Sequence, residues 1–178
     1  MRYSLIRKMD ISNGSGVGIS LFVQGCHFHC QGCFNQETWD FNGGYEWTKK
    51  IEDRFLCLAN KPYIQRISFL GGEPLADENV ETILSVIKRL RLRYPSKKIW
   101  IYTGYVWESV QSDTSSIGAL RRSAINLSDV VVDGRFEIDK QDINHKQMQW
   151  AGSLNQRVID VSKSLSTNRV ALYAEVIS

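Results

Sequence analysis

Short apolar runs alternate along this chain with longer segments of helical periodicity, and this alternation constrains the fold more than any other feature. We predict four buried strands in the segments ISLFVQG, RISFLGGEP, KIWIYTGY and DVVVDGRF, which begin at residues 19, 66, 98 and 129. Helices are predicted at residues 48–60, 77–94 and 117–125, the second with Asp77 as its N-cap. We therefore expect an α/β fold with mainly parallel strands, formed by one domain over residues 1–178.

The predicted strands end in the least ordinary local sequences of the chain. They are followed, in order, by the segments GCHFHCQGC, GGEP, TGY and DGRF, which begin at residues 25, 71, 103 and 133. The carboxyl ends of parallel strands meet at one edge of a sheet, and ligands of open α/β sheets bind at that edge. The four segments together predict a functional site there.

Length and charge exclude several classes of protein. A chain of 178 residues can bury a substantial core. The formal net charge of +3 is too small to indicate a nucleic-acid partner. No long apolar run follows the opening MRYSLIRKMD, so we expect neither a signal peptide nor a membrane span. We expect a cytoplasmic protein, in which thiols stay reduced and clustered cysteines bind metal or take part in catalysis.

Three of the four cysteines, Cys26, Cys30 and Cys33, have the spacing C-x3-C-x2-C. A structural zinc site usually has four protein ligands, often from two separated C-x2-C pairs, and this chain has no second pair. The two histidines between the cysteines offer other zinc ligands, so a zinc-binding module stays open as an alternative. The fourth cysteine, Cys57, falls in the first predicted helix, where we expect a small buried hydrophobic side chain.

A 4Fe-4S cluster is the other metal centre that three clustered thiols can hold. Because such a cluster has four irons, three cysteine ligands leave one iron without a protein ligand. A substrate or a cofactor can coordinate the iron that is left open.

The cysteine spacing, together with the Gly-Gly-Glu-Pro segment after a strand, resembles the radical S-adenosylmethionine enzymes. Further segments narrow the resemblance, namely DISNGSGVG near the start, IWIYTGY, DVVVDGRFE and the late WAGSLNQRVIDVSKSL. With these segments the chain resembles most closely the activating proteins of anaerobic ribonucleoside-triphosphate reductases, over roughly residues 10–165. The tail RVALYAEVIS alternates like a strand and receives no function from the resemblance.

The resemblance implies a partial, open (β/α) barrel of the radical S-adenosylmethionine type with two cofactors. The 4Fe-4S cluster is then held by Cys26, Cys30 and Cys33, and S-adenosylmethionine chelates the fourth iron. Contacts to S-adenosylmethionine are implied for residues of the cysteine loop and of the Gly-Gly-Glu turn, namely Gly32, Cys33, Phe34, Gly71, Gly72 and Glu73.

Two of these contacts have a specific chemical role. Glu73 offers a carboxylate for the ammonium group of S-adenosylmethionine. Gly32 stands where the superfamily commonly has an aromatic residue, so stacking on adenine has to come from another ring, for which Phe34 is the candidate.

Thr103 and Asp133 are candidates for contacts to the cofactor or to a monovalent cation. Related activases hold such a cation near the cofactor carboxylate with groups from matching loops. An alternative stays open for both residues, in which the side chain only stabilises the turn before Gly104 or Gly134.

The function that the resemblance implies is activation of a glycyl-radical enzyme. A flavodoxin-like donor supplies one electron, S-adenosylmethionine is cleaved to methionine and a 5′-deoxyadenosyl radical, and this radical takes a hydrogen atom from a glycine of the large reductase subunit. Three alternatives stay open. The chain activates a different glycyl-radical enzyme, acts on a small molecule, or is a non-catalytic zinc-binding module.

Overall fold

The computed structural model of the chain describes residues 1–142 and 149–174. Within these residues one seven-stranded sheet has the order β3-β1-β2-β4-β5-β6-β7. Its strands are β1 (Arg2–Asp10), β2 (Gly18–Val23), β3 (Tyr45–Glu46), β4 (Arg66–Gly71), β5 (Lys98–Tyr102), β6 (Val130–Asp133) and β7 (Arg157–Asp160). The four predicted strands correspond to β2, β4, β5 and β6.

Five α-helices are present among the described residues. They are α1 (Lys49–Ala59), α2 (Asp77–Arg93), α3 (Trp107–Ser112), α4 (Ser116–Asn126) and α5 (Val161–Thr167). The three predicted helices correspond to α1, α2 and α4, but Asp77 is the first helical residue of α2 and the N-cap is Ala76. The Asp77 carboxylate is instead bonded to Arg121 of α4. None of the described helices has the length and apolar character needed to cross a membrane.

The centre of the sheet is parallel, as the alternation of strands and helices predicts. Strands β2, β4, β5 and β6 pair in parallel in that order. The expectation of a mainly parallel sheet is confirmed for these four central strands alone. Outside them the described pairings are antiparallel, namely β1 with β2, β1 with β3, and β6 with β7. The link between β1 and β2 has seven residues, 11–17, and a parallel crossover needs a dozen or more.

Side chains of the parallel strands alternate between two faces of the sheet. Ile19, Ile67 and Ile99 contact the helices in the main hydrophobic core. On the opposite face, Trp100 and Val132 form a second, smaller cluster that packs against residues 150–151, Val158 and Tyr173. The second face has a cover of loops rather than of long helices, which leaves space for a site beside the sheet.

Two expectations about single segments turn out differently. Cys57 is exposed, not buried, because α1 turns Phe55, Leu56 and Ala59 toward the core and leaves Cys57 on its solvent side. In the described part of the tail, residues 169–174, the strand pairing is limited to an isolated bridge between Leu172 and Ile159 of β7, and residues 175–178 lie outside the described residues.

Candidate functional site

A cavity of about 730 Å³ lies at the carboxyl ends of the parallel strands. Its wall includes Phe22, Leu70 and Tyr102, which lie in the last two residues of β2, β4 and β5, on the face that the main helices do not cover. Loops after β2, β4, β5 and β6 complete the wall. The volume is typical of sites that bind a cofactor or another small molecule.

The cysteine loop borders this cavity. Cys26 and Cys30 line it, whereas Cys33 does not, although the Cys33 N–H donates to the Cys30 carbonyl oxygen at 3.1 Å. Burial raises the pKa of the Cys26 and Cys30 thiols, so both hold their protons in the metal-free chain. A bound metal displaces such protons.

A backbone N–H donates to the sulfur of the third cysteine, since the Asn35 nitrogen lies 3.4 Å from Cys33 Sγ. The backbone of Phe28 and His29 beside Cys26, and that of Phe136 beside Cys30, opposes the larger effect of burial on the pKa of these two thiols. Donors of this kind stabilise negative charge on thiolates and on the sulfurs of iron–sulfur clusters. In the metal-free chain burial keeps the thiols of Cys26 and Cys30 protonated, and these backbone groups would stabilise their charge once a bound metal had displaced the protons.

The two histidines of the loop have partners other than the thiols. His27 packs on Phe41 with ring centroids 4.4 Å apart, and His29 stacks on Trp39 at 4.6 Å. Among the described residues, no three His, Cys, Asp or Glu side chains come together as a site for a single metal ion. The zinc-binding alternative therefore gains no support from the positions of these imidazoles.

Glu73 is buried at the cavity wall, with 3% of its surface exposed. Its Oε1 accepts hydrogen bonds from the Thr103 hydroxyl and the Leu75 N–H, both at 2.8 Å, and its Oε2 accepts one from the Gly104 N–H at 2.7 Å. Burial raises the pKa of Glu73 from 4.5 to about 7, against the lowering effect of these donors.

Gly71 and Gly72 line the cavity beside Glu73. The Gly72 N–H donates to the Val23 carbonyl oxygen at 2.9 Å, and a Cβ atom on Gly72 would overlap the backbone of Gly25. The missing side chain thus lets the Gly-Gly-Glu turn lie directly against the start of the cysteine loop. The resemblance implied contacts of Gly71 and Gly72 to a cofactor, and the structure adds this close approach of the Gly72 backbone to that of Gly25.

Gly32 and Phe34 occupy different positions relative to the cavity. Gly32 has φ +73°, a value that favours glycine, and a side chain there would meet Ile138. Gly32 is not in the cavity wall, whereas Phe34 is, with 63% of its surface exposed and its ring 5.0 Å from that of Phe136. Phe34 therefore offers an accessible ring face to the cavity.

Asp133 is turned away from the cavity and does not line it. Its Oδ1 accepts a hydrogen bond from Nε of Arg157 at 2.9 Å, and its Oδ2 accepts one from the Trp107 N–H at 2.8 Å. Both oxygens thus have partners inside the protein, an arrangement that ties β6 to β7 and to the start of α3.

The cavity wall also contains residues that the sequence did not single out. Phe28 lies between the first two cysteines, 4.9 Å from the Tyr105 ring, and the Arg135 guanidinium lies over it at 4.4 Å. The hydroxyl of Tyr102 is buried at the wall and has no hydrogen-bond partner among the described residues. Four further wall residues belong to the segment WAGSLNQ, which contributed to the family resemblance and could have indicated them. They are Trp150, Ala151, Gly152 and Gln156.

Glu73 should make stability fall as pH rises through the acidic range. Between pH 4.5 and 7 the folded chain holds a proton on Glu73 that the unfolded chain has released, so rising pH favours unfolding. We expect this group to lower the free energy of unfolding by roughly 3 kcal/mol over that interval. Urea unfolding of the cluster-free chain and of Glu73→Gln at several pH values measures the effect. Parallel pH profiles of the two proteins would contradict it.

Comparison with known proteins adds family evidence to this geometry. Residues 12–159 match the family described as "4Fe-4S single cluster domain". The fold and the site therefore define an iron–sulfur protein whose cysteine loop lies at the carboxyl edge of a parallel sheet core.

Named relatives narrow the class. The chain is 39% identical over 160 residues to the anaerobic ribonucleoside-triphosphate reductase-activating protein of Salmonella typhi, covering 89% of this chain and 97% of that protein. The protein of the same name from Escherichia coli K12 is 38% identical with the same coverage, and that of Enterobacteria phage T4 is 33% identical over 89% of this chain and 93% of its own. The chain belongs to the family of anaerobic ribonucleoside-triphosphate reductase-activating proteins.

Proposed function

We propose that the chain generates a glycyl radical on an anaerobic ribonucleoside-triphosphate reductase, with a 4Fe-4S cluster and S-adenosylmethionine as cofactors. The observation that carries this proposal is the meeting of the cysteine loop and the Gly-Gly-Glu turn at one cavity. The names of the relatives identify the reductase as the protein on which they act.

Cys26, Cys30 and Cys33 would hold the cluster and leave one iron for S-adenosylmethionine. The donor set fits this group, because one loop supplies three thiols and the Asn35 N–H donates to the Cys33 sulfur at 3.4 Å. Cys26 and Cys30 border the same cavity as Glu73, so a cluster on this loop would adjoin the space that the cofactor needs.

S-adenosylmethionine would occupy the cavity beside the cluster. Glu73 would bind its ammonium group, the backbone of Gly71 and Gly72 would follow its methionine part, and the exposed ring of Phe34 would stack on adenine. Gly32 and Cys33 are not in the cavity wall, and their proposed contact to S-adenosylmethionine would come from backbone next to that wall. When bound, the two cofactors supply one-electron cleavage chemistry, which yields methionine and an adenosyl radical able to take a hydrogen atom from glycine.

For Thr103 and Asp133 we favour the structural alternative. The Thr103 hydroxyl donates to Glu73 and accepts the Tyr105 N–H at 3.1 Å, so Thr103 would hold the carboxylate in place. Asp133 is bonded to Arg157 and would fix the turn before Gly134. Of the two, Thr103 lines the cavity and remains the candidate contact for a monovalent cation near the cofactor carboxylate.

The open sheet suits an enzyme that acts on a protein. We propose that β2, β4, β5 and β6 with their helices form a partial (β/α) barrel, that the chain is one radical S-adenosylmethionine domain, and that the reductase covers its open side with a glycine-bearing loop. Such a cover would shield the radical from water. We also propose that a flavodoxin-like protein donates the electron, that the chain acts in the cytoplasm, and that it has no nucleic-acid partner.

The decisive experiment is activation in defined mixtures. The anaerobically reconstituted and reduced chain is incubated with S-adenosylmethionine and an anaerobic ribonucleoside-triphosphate reductase, and separately with a pyruvate formate-lyase. We expect a glycyl-radical EPR doublet, with nucleotide reduction, in the first mixture alone. A doublet on the lyase alone would show that the partner is wrong. Activation of neither enzyme, with turnover of a small molecule, would overturn the activase function.

A further inference from the structure

Asn79 is a buried polar residue whose side chain joins the two loops of the site. It lies in the first turn of α2 with 1% of its surface exposed. Its Nδ2 donates to the backbone carbonyl oxygen of Gln24 and to that of Glu73, both at 3.0 Å. One amide group therefore bridges the start of the cysteine loop and the residue that carries the buried carboxylate.

The bridge lies where the sheet no longer connects the two segments. The register of β2 and β4 ends at the pair Val23 and Gly71, so Gln24 and Glu73 lie beyond the ladder of the sheet. Across this junction the Gly72 N–H donates to Val23 at 2.9 Å and the Glu73 N–H donates to Gly25 at 2.8 Å. The Asn79 amide adds two side-chain hydrogen bonds to these two backbone bonds.

Few side chains other than asparagine can do this at the same position. To donate to the carbonyl oxygens of Gln24 and Glu73 at the same time, a side chain needs two N–H groups on one terminal nitrogen. The asparagine amide has both. An aspartate of the same shape would place a carboxylate oxygen against two carbonyl oxygens, and a leucine of similar size would leave the buried Gln24 oxygen without this donor.

We propose that Asn79 is a positioning residue that fixes the cysteine loop relative to Glu73. It does not line the cavity, so it acts through Gln24 and Glu73 rather than by contact with a cofactor. In the assembled site this would set the distance between the ammonium-binding carboxylate and the open iron. This inference deepens the proposed function. It rests on that function only for the effect of Asn79 on S-adenosylmethionine binding, and not for the joining of the two loops.

Hydrogen exchange in the cluster-free chain tests the positioning directly. In Asn79→Leu, the amide protons of Gly72 and Glu73 should exchange about tenfold faster relative to that of Ile101 in β5 than they do in the wild type. Ser164→Ala is the matched control, because Ser164 is 2% exposed on α5 and its hydroxyl bonds backbone groups of residues 160 and 171. The control should not change the ratio.

Cofactor binding tests the consequence for the site. Reconstituted Asn79→Leu should keep about four irons per chain but bind S-adenosylmethionine about tenfold more weakly, and Asn79→Asp should bind it more weakly still. Ser164→Ala should bind it as the wild type does. Uniform acceleration of exchange, or unchanged affinity in Asn79→Leu, would reduce Asn79 to a general stabilising residue and overturn the proposal.

The outcomes also separate this inference from the proposed function. A wild-type chain that binds iron but no S-adenosylmethionine would refute the proposed function, and with it the effect of Asn79 on the cofactor. The exchange of Gly72 and Glu73 in the cluster-free chain would still decide whether Asn79 joins the two loops.

Discussion

Alanine in place of Cys26, Cys30 or Cys33 should abolish the cluster and, with it, formation of the glycyl radical. Each thiol is one of only three proposed ligands, so its loss leaves two irons without a protein ligand. We expect about four irons per chain in the reconstituted wild type and less than about one in each variant. Iron and sulfide analysis with visible absorption spectra after anaerobic reconstitution measures this, and the EPR doublet of the reductase reports activation.

Cys57→Ala is the matched control for these three variants. Cys57 is exposed on α1 and is not in the cavity wall, so its removal should leave iron content and activation unchanged. Equal dependence of the cluster on Cys57, or stoichiometric zinc without iron, would refute the assignment of the three ligands.

Arg66→Met should strongly destabilise the chain. The Arg66 side chain is fully buried, its Nη2 lies 3.5 Å from Oδ1 of buried Asp10, and its guanidinium donates to the carbonyl oxygens of Asp10, Asn13 and Ser15. Removing one partner of a buried ion pair costs about 3–5 kcal/mol. Asp10 keeps its ion pair with the partly exposed Arg7 at 3.8 Å, so we expect a loss near the lower end of this range. Urea unfolding of the cluster-free chain measures the loss.

The same substitution should loosen one wall of the cavity. Asn13 lines the cavity, and its backbone carbonyl oxygen accepts a hydrogen bond from the Arg66 guanidinium. Lys49→Ala serves as the control, because the ion pair of Lys49 with Asp53 is exposed and screened by solvent and should contribute little to the free energy of unfolding. An Arg66→Met chain as stable as the wild type would show that the buried pair contributes nothing net.

The secondary structure was predictable where the pattern of the chain is strong. The parallel strands β2, β4, β5 and β6 are short apolar runs that are buried on both faces, and such runs are visible without knowledge of the fold. Strand β1 was missed because most of its residues are only partly buried or exposed and show no regular alternation. Strand β3 has two residues, too few for any pattern.

The chemical groups of the candidate site were visible in the sequence, but their surroundings were not. The cysteine spacing and the Gly-Gly-Glu segment are local patterns, whose members are neighbours along the chain. Phe28 was not recognised, because its place under Arg135 depends on a loop more than 100 residues away. Tyr102 was not recognised either, since only the sheet places its hydroxyl at the cavity wall.

By itself, the sequence determined strands β2, β4, β5 and β6, helices α1, α2 and α4, the edge of the sheet that carries the candidate site, and the residue types available there. The tertiary structure alone decided how each group is used. It buried Glu73 under Thr103, 30 residues away, turned Asp133 toward Arg157, exposed Cys57 and brought Asn79 to Gln24, 55 residues away. The physical reason is that burial and hydrogen-bond partners depend on segments that become neighbours only when the strands pair, whereas spacing and residue type are fixed in the covalent chain.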